Sequence, residues 1–276
     1  MKTSILIAWV LCSASALGSE LELRDNRVYI PVTINGTTTE ALLDSAAEMT
    51  FVDTRLAEEI GLKPEGVETA KGSGGSTQVR FAKNVNVSAA GIRLDGMTVA
   101  LLDMTELSKK VVNTELGMIL GREFFDSARV RIDVEGRSIE KLDMVHEPEG
   151  VKLPLTSARG IEHFPANVEG VDVGADIDLG NGSEVLIGRR FAEKIGLLAP
   201  GRVVERKTGG GIGGTLERDI VVLKDITIAG VKFESVRAAI DPQPTAGDVN
   251  VGTSILRHFV LVIDFASHAV WFEPRP

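Results

Sequence analysis

The sequence predicts a mostly β protein with short helices, built from two similar lobes in one chain. Three observations predict it: short apolar runs are separated by Gly, Asn and Asp turns, the pattern occurs twice, and both copies contain the same short helix. Many short strands with turn signals favour small barrels or sandwiches over strands that alternate with long helices. We therefore expect two all-β lobes related by a twofold-like rotation.

The first lobe begins with a predicted hairpin that leads to an exposed acid. Residues 28–34 alternate like a strand, and Asn35-Gly36 is a typical tight turn. The next apolar run ends in Asp44, and the small residues 45–47 follow it. Because such small neighbours cannot cover a carboxylate, we expect Asp44 to lie at the end of a strand and to face a cleft.

The same pattern returns 134 positions later, at Asp178. Residues 56–62 read LAEEIGL and residues 191–197 read FAEKIGL, which are identical at five of seven positions. Both segments resemble a short amphipathic helix closed by glycine. A glycine-rich stretch follows each helix, at residues 71–77 and 207–215. The chain is therefore an internal duplication.

The repeat divides the chain into three predicted segments: a signal peptide at 1–18, an N-terminal lobe at 20–147 and a C-terminal lobe at 148–276. Residues 5–12 are an apolar run after Lys2, and residues 14–16 have the small-x-small pattern of a cleavage site. The run is too short to span a bilayer, although an uncleaved anchor is the alternative. We expect export to a bacterial periplasm or to the medium. The only cysteine, Cys12, lies in this segment, so the mature chain would contain no disulfide and no reactive thiol.

Charge and motif patterns argue against several classes of function. The net charge of -9 and the pI near 5.1 leave no basic surface for nucleic acid. The four histidines have no ligand-like spacing, so we expect no metal site. Residues 209–214 match a dinucleotide-binding pattern by letter, but neither a strand before them nor a helix after them is predicted. We expect no cofactor.

Two acids displayed on equivalent loops suggest a definite chemistry. If the lobes place Asp44 and Asp178 face to face, the two carboxyls cannot both ionise cheaply, so they share a proton. The ionised member can then take a proton from a water that attacks a peptide carbonyl, and the protonated member stabilises the carbonyl oxygen. Such a pair hydrolyses peptide bonds without a metal or a cofactor.

The strand pair, the acidic loop, the helix that ends in Ile-Gly-Leu and the glycine-bearing hairpin resemble those of the retropepsin-like aspartic proteases. The chain is most similar to exported bacterial members that carry two such domains. The resemblance implies two pepsin-like acid-protease lobes in a self-contained monomer, with Asp44 and Asp178 as the catalytic pair and a peptide or protein as substrate. It also implies that Ser45 supports the loops across the lobe interface, beside Ala46, Leu179 and Gly180. The residues it assigns to the two substrate-covering flaps are Gly72, Gly74, Gly75, Gly211, Gly213 and Gly214.

Two departures from the family loop, Asp-Thr/Ser-Gly, leave an alternative open. Ala46 replaces the glycine of the first loop, and Leu179 replaces the hydroxyl residue of the second. These changes favour an inactive relative that binds a peptide or an envelope partner in the cleft, whereas retention of both acids favours the enzyme. A purely structural scaffold would leave the glycine-rich hairpins unexplained. For Asp178, a solvated acidic turn together with Asp172 and Asp176 is a further alternative.

Overall fold

The structure is a computed structural model that describes residues 19–158 and 160–275. The predicted signal peptide at 1–18, with Cys12, lies outside the described residues. Within them β-strands dominate and the helices are short, which confirms the predicted all-β fold. No helix in these ranges is both long and apolar enough to cross a membrane.

In the part of the N-terminal half that the structure describes, there are eleven strands and three short helices. The strands are β1 (Ser19–Glu20), β2 (Glu22–Arg24), β3 (Arg27–Ile34), β4 (Thr37–Leu43), β5 (Phe51–Asp53), β6 (Glu65–Gly72), β7 (Gly75–Ala89), β8 (Ile92–Leu102), β9 (Met118–Leu120), β10 (Val130–Asp133) and β11 (Ser138–Lys141). The helices are α1 (Thr54–Glu59), α2 (Thr105–Leu107), which continues as a π-helical segment (Ser108–Val112), and α3 (Arg122–Ser127).

The described residues of the C-terminal half form eleven further strands and two helices. The strands are β12 (Val151–Pro154), β13 (Thr156–Ala158), β14 (Ile161–Val168), β15 (Val171–Asp178), β16 (Val185–Gly188), β17 (Val203–Gly211), β18 (Gly214–Ile228), β19 (Val231–Asp241), β20 (Val249–Gly252), β21 (Phe259–Asp264) and β22 (Ala269–Pro274). The helices are α4 (Arg189–Lys194) and α5 (Thr253–Leu256).

Each half folds into an eight-stranded sheet, and the strand order is the same in both. The first sheet is ordered β2-β3-β4-β9-β5-β8-β7-β6, and the second is ordered β13-β14-β15-β20-β16-β19-β18-β17. In both sheets the strand that leads to the acidic loop pairs in parallel with a short later strand, β4 with β9 and β15 with β20. The repeated letters of the sequence therefore correspond to a repeated topology.

Local sequence explains why equivalent turns and helices form. Asn35 and Gly36 have φ values of +46° and +87°, the left-handed pair that a two-residue hairpin turn requires. The side chain of Asp53 caps α1 by accepting a hydrogen bond from the Arg55 amide at 3.0 Å. Gly61 follows the helix at φ +73°, so α1 begins two residues before the repeated LAEEIGL segment and ends within it.

A third sheet joins the two lobes. Its order is β1-β11-β10-β21-β22-β12, and its central pair, β10 and β21, comes from opposite halves of the chain. Every residue of β21 is buried. A buried ion pair also crosses the boundary, between Arg129 Nε and Asp264 Oδ2 at 3.1 Å. The main apolar cluster draws residues from both halves, and the rings of Phe125 and Phe265 meet across it at 5.2 Å.

Candidate active site

The two sequence-predicted acids lie at the ends of equivalent strands. β4 ends at Leu43, and the Asp44 amide donates a hydrogen bond to the Leu120 carbonyl at 3.0 Å. Asp178 is the last residue of β15 and lies opposite Gly252 of β20. The parallel pairings thus hold both acids at the same edge of their sheets, where the two lobes meet.

The structure brings Asp44 and Asp178 together, with their carboxyl groups within hydrogen-bonding reach of each other. Each side chain is half-buried, so part of its surface remains open to the cleft. Burial, followed by the negative charge of Asp178, raises the pKa of Asp44 to about 8. Burial also raises the pKa of Asp178. One proton is therefore retained between the two carboxyls at neutral pH.

The hydrogen bonds around the two carboxyls are unequal. Asp44 Oδ1 accepts one from the Ala46 amide at 2.9 Å. Asp178 Oδ1 accepts two, from the amides of Gly180 at 2.9 Å and Asn181 at 3.0 Å, while its Oδ2 accepts another from Asn250 Nδ2 at 2.8 Å. Since donors stabilise the charged form, Asp178 is the better place for the negative charge and Asp44 is the better place for the proton.

Ser45 links the two acidic loops across the lobe boundary. Its buried Oγ donates to the Ile177 carbonyl at 2.7 Å and accepts from the Leu179 amide at 3.0 Å. Leu179 cannot return equivalent bonds, and its side chain is instead buried in the apolar core. One hydroxyl therefore makes two bonds between the loops.

The remaining loop residues, Ala46 and Gly180, differ in how closely they approach the opposite acid. A Cβ added to Gly180 would lie 2.5 Å from Cγ of Asp44, so only glycine allows that carboxyl to approach. Ala46 has no left-handed φ, and its backbone amide is still directed at Asp44. The alanine therefore occupies its position without the backbone strain that a left-handed φ would cause.

The two glycine-rich hairpins form flaps that meet at their tips. We use "N-terminal flap" for β6–β7 and "C-terminal flap" for β17–β18. The Gly74 amide donates to the Ile212 carbonyl at 3.0 Å. A Cβ at Gly74 would collide with carbonyl oxygens of the C-terminal flap, and Gly213 at φ +97° lies against Gly75 in the same way. The structure therefore brings together the predicted flap residues, which are Gly72, Gly74, Gly75, Gly211, Gly213 and Gly214.

Several polar side chains near the acids were not identified by sequence reasoning. Asn250 is the clearest, because it bonds directly to Asp178. Asp176 was interpreted as part of a possible solvated turn, but it is buried and its Oδ1 lies 2.7 Å from Nδ1 of His163. Its signal was available in the repeat: Asp176 corresponds to Leu42, so a charge replaces an apolar residue at the same position.

Comparison with known proteins bears mainly on the N-terminal lobe. A family model described as aspartyl protease matches residues 30–124, a range that includes Asp44 and the N-terminal flap but not Asp178. A search of curated proteins finds no match. Among solved structures, a retropepsin-like aspartic protease from Rickettsia conorii is 18% identical with a TM-score of 0.37, and the match covers 44% of this chain and 90% of that one.

Proposed function

We propose that this chain, a retropepsin-like protein related to the aspartyl proteases, is an aspartic endopeptidase that uses Asp44 and Asp178 as its catalytic pair. The observation that carries the proposal is the proximity of two buried acids from opposite lobes, with unequal hydrogen bonding around their carboxyls. Such a pair holds one proton and one negative charge, which are the two states that water-mediated amide hydrolysis needs.

The unequal hydrogen bonding of the two carboxyls suggests a role for each acid. Asp178, stabilised as an anion by Asn250 and two amides, takes a proton from a water whose oxygen then attacks the peptide carbonyl carbon. Asp44, whose pKa is raised to about 8, gives its proton to the carbonyl oxygen, so a neutral diol forms. The diol collapses when the C–N bond breaks, the leaving nitrogen takes a proton from Asp178, and a diol hydroxyl returns one to Asp44.

The flaps and the cross-lobe hydroxyl support this role. The flap tips of the two lobes meet, and an extended peptide beneath them could bond to their backbone groups. The two bonds of Ser45 fix the relative position of the acidic loops. An inactive peptide-binding relative is the second candidate, because Leu179 leaves the linkage between the loops one-sided.

The test is cleavage of a denatured protein by the full chain between about pH 3 and pH 7, with and without a statine-type inhibitor. Asp44→Asn and Asp178→Asn should each abolish inhibitor-sensitive cleavage. Asp95→Asn, which removes a charge from an exposed side chain on strand β8, is the control and should cleave normally. Cleavage that survives both active-site substitutions would contradict the assignment, and binding of peptides without any cleavage would support the inactive relative.

We also propose that the active form is a single chain. The lobes already share a six-stranded sheet, and each supplies one acid, so the site is complete without a second copy. Sedimentation at micromolar concentration should give a monomer, and a stable dimer would contradict the proposal.

Export remains a separate prediction, and N-terminal sequencing of the exported protein should find cleavage after Ala16 or Gly18.

A further inference from the structure

The two walls of the cleft beside the acids have opposite chemistry. We define the N-terminal wall as Tyr29, Leu42, Phe51, Val79, Leu102 and Ile119. We define the C-terminal wall as His163, Asp176, Leu186, Arg218, Asp241 and Asn250. The first set belongs to one apolar cluster, whereas the second contains an imidazole, a guanidinium, two carboxylates and an amide. The pseudo-symmetric cleft therefore has unlike sides.

These residues occupy equivalent places in the two lobes. Tyr29 lies opposite Leu42 across β3 and β4, and His163 lies opposite Asp176 across β14 and β15. Because side chains alternate along a strand, Asp176 projects to the same face as Asp178 two residues later. This places the wall directly beside the acids.

The flap strands and their neighbours repeat this correspondence. Val79 and Arg218 each follow the first glycine of the second flap strand, Gly75 or Gly214, by four residues. Leu102 ends β8 and Asp241 ends β19. Ile119 and Asn250 face Phe51 and Leu186 across the neighbouring strand pairs. The difference between the walls is thus a set of substitutions at matched positions.

The tip of each flap lies against the opposite lobe and matches its chemistry. Ile212, at the tip of the C-terminal flap, packs against the apolar cluster of the N-terminal wall. Its counterpart in the N-terminal flap is Ser73, whose carbonyl accepts a hydrogen bond from Arg218 Nη2 at 3.0 Å. The closed flaps therefore place an aliphatic side chain at one wall and a neutral hydrogen-bond acceptor, the Ser73 carbonyl, at the other.

The ionisable side chains of the C-terminal wall are paired with one another. Asp176 pairs with His163 at 2.7 Å, and Asp241 Oδ2 pairs with Arg218 Nη2 at 3.4 Å. A further buried charge would lack a counterion, which makes a charged ligand group costly. Arg218 Nε is buried and has no hydrogen-bond partner among residues 19–158 and 160–275. A ligand oxygen could accept from it, whereas an apolar group would leave it unpaired.

We propose that the cleft selects peptides with a large aliphatic side chain on one side of the scissile bond and a neutral hydrogen-bond acceptor, Ser, Thr, Asn or Gln, on the other. The inference rests on the proposed peptide hydrolysis and names its substrate class. The N-terminal wall takes the aliphatic group in place of Ile212, and the C-terminal wall takes the polar group in place of Ser73.

The experiment compares peptides that vary independently on the two sides of the cleaved bond. Mass spectrometry of a mixed peptide library locates the cleaved bonds, and kcat/KM is then measured for matched peptides. On the side that faces the C-terminal wall, peptides with Gln or Ser should have a kcat/KM about 10- to 100-fold higher than peptides with Leu. This is the factor expected when a buried polar group is left unpaired. On the side that faces the N-terminal wall, peptides with Leu or Ile should have a higher kcat/KM than peptides with Gln. Equal preference for Leu on both sides would overturn the inference while leaving the peptidase intact.

A variant transfers the N-terminal chemistry to the C-terminal wall. Arg218→Val combined with Asp241→Leu should reduce the preference for Gln at least about tenfold and leave the aliphatic side unchanged. The control, Arg206→Val with Asp219→Leu, removes a 2.7 Å ion pair from the outer face of the same flap and should keep the wild-type profile. An unchanged profile in a folded Arg218/Asp241 variant would contradict the proposal, and the wild-type library decides the question if that variant does not fold.

Binding separates the two proposals from each other. Asp44→Asn is titrated with the same matched peptides, and their dissociation constants are measured by calorimetry. Tighter binding of peptides with the aliphatic–polar pair, without any cleavage by the wild type, would support the proposed specificity and contradict the proposed peptidase activity. Cleavage or binding that does not depend on the side chains flanking the bond would contradict the proposed specificity. The absence of both cleavage and binding would contradict the specificity and the peptidase activity together.

Discussion

The buried acid pair should cost the folded protein stability at neutral pH. Burial and the charge of Asp178 raise the pKa of Asp44 from 3.8 to about 8. Between these two pH values the folded state binds more protons than the unfolded state, so the free energy of unfolding falls as pH rises. From about pH 4 to about pH 7 the shift corresponds to roughly 4 kcal/mol, at about 1.4 kcal/mol per pKa unit.

Asp44→Asn removes this cost because the amide is a neutral isostere of the protonated acid. The variant should therefore match the wild type near pH 4 and exceed it by up to roughly 4 kcal/mol near pH 7. Urea unfolding followed by circular dichroism at several pH values measures the difference. Asp95→Asn makes the same change of charge at an exposed side chain on β8 and should follow the wild-type curve. If the stability difference between Asp44→Asn and wild type stays constant from pH 4 to pH 7, the reasoning fails.

Three further substitutions test the surrounding contacts. Asn250→Ile removes the donor that stabilises the Asp178 anion, so it should raise the pKa of Asp178 and shift the acidic side of the pH–rate profile to higher pH; an unshifted profile would contradict this. Ser45→Ala loses two cross-lobe hydrogen bonds and should lower the free energy of unfolding by about 1–3 kcal/mol. Ser45→Thr is the conservative control, and equal stability of Ser45→Ala and the wild type would contradict the prediction. Ile212→Ser removes the aliphatic side chain that packs against the apolar wall, so the Gly74 amide should exchange its hydrogen faster. Unchanged exchange would show that this contact does not hold the flaps together.

Sequence reasoning could predict the fold because the repeat is local. Turn pairs such as Asn35-Gly36, strand alternation and the helix closed by Gly61 depend on neighbours in the chain, and they recur in register in the second half. The position of Asp44 at the end of a strand followed from the same signals. The sheet that joins the lobes could not be predicted in this way, because β10 and β21 pair across about half of the chain.

The chemistry around the acids needed the three-dimensional structure for a different reason. Asn250 reaches Asp178 only because β15 and β20 pair in parallel, and Arg218 reaches Ser73 only because the flaps cross the lobe boundary. Asp264 accepts a hydrogen bond from the Ser267 amide at 2.9 Å, as an acid before a tight turn does, but its buried pairing with Arg129 has no local signal. Aligning the two halves residue by residue would show that polar residues replace apolar ones at matched positions, but not that these residues lie together beside the acids.

The proton shared between the two acids can be measured directly by NMR of protein labelled with 13C at the aspartate carboxyls. The account predicts two coupled carboxyl titrations, one of them retaining its proton near neutral pH, and the loss of that coupling in Asp44→Asn and in Asp178→Asn. Two independent carboxyls that both titrate near pH 4, with neither affected by replacement of the other, would contradict it.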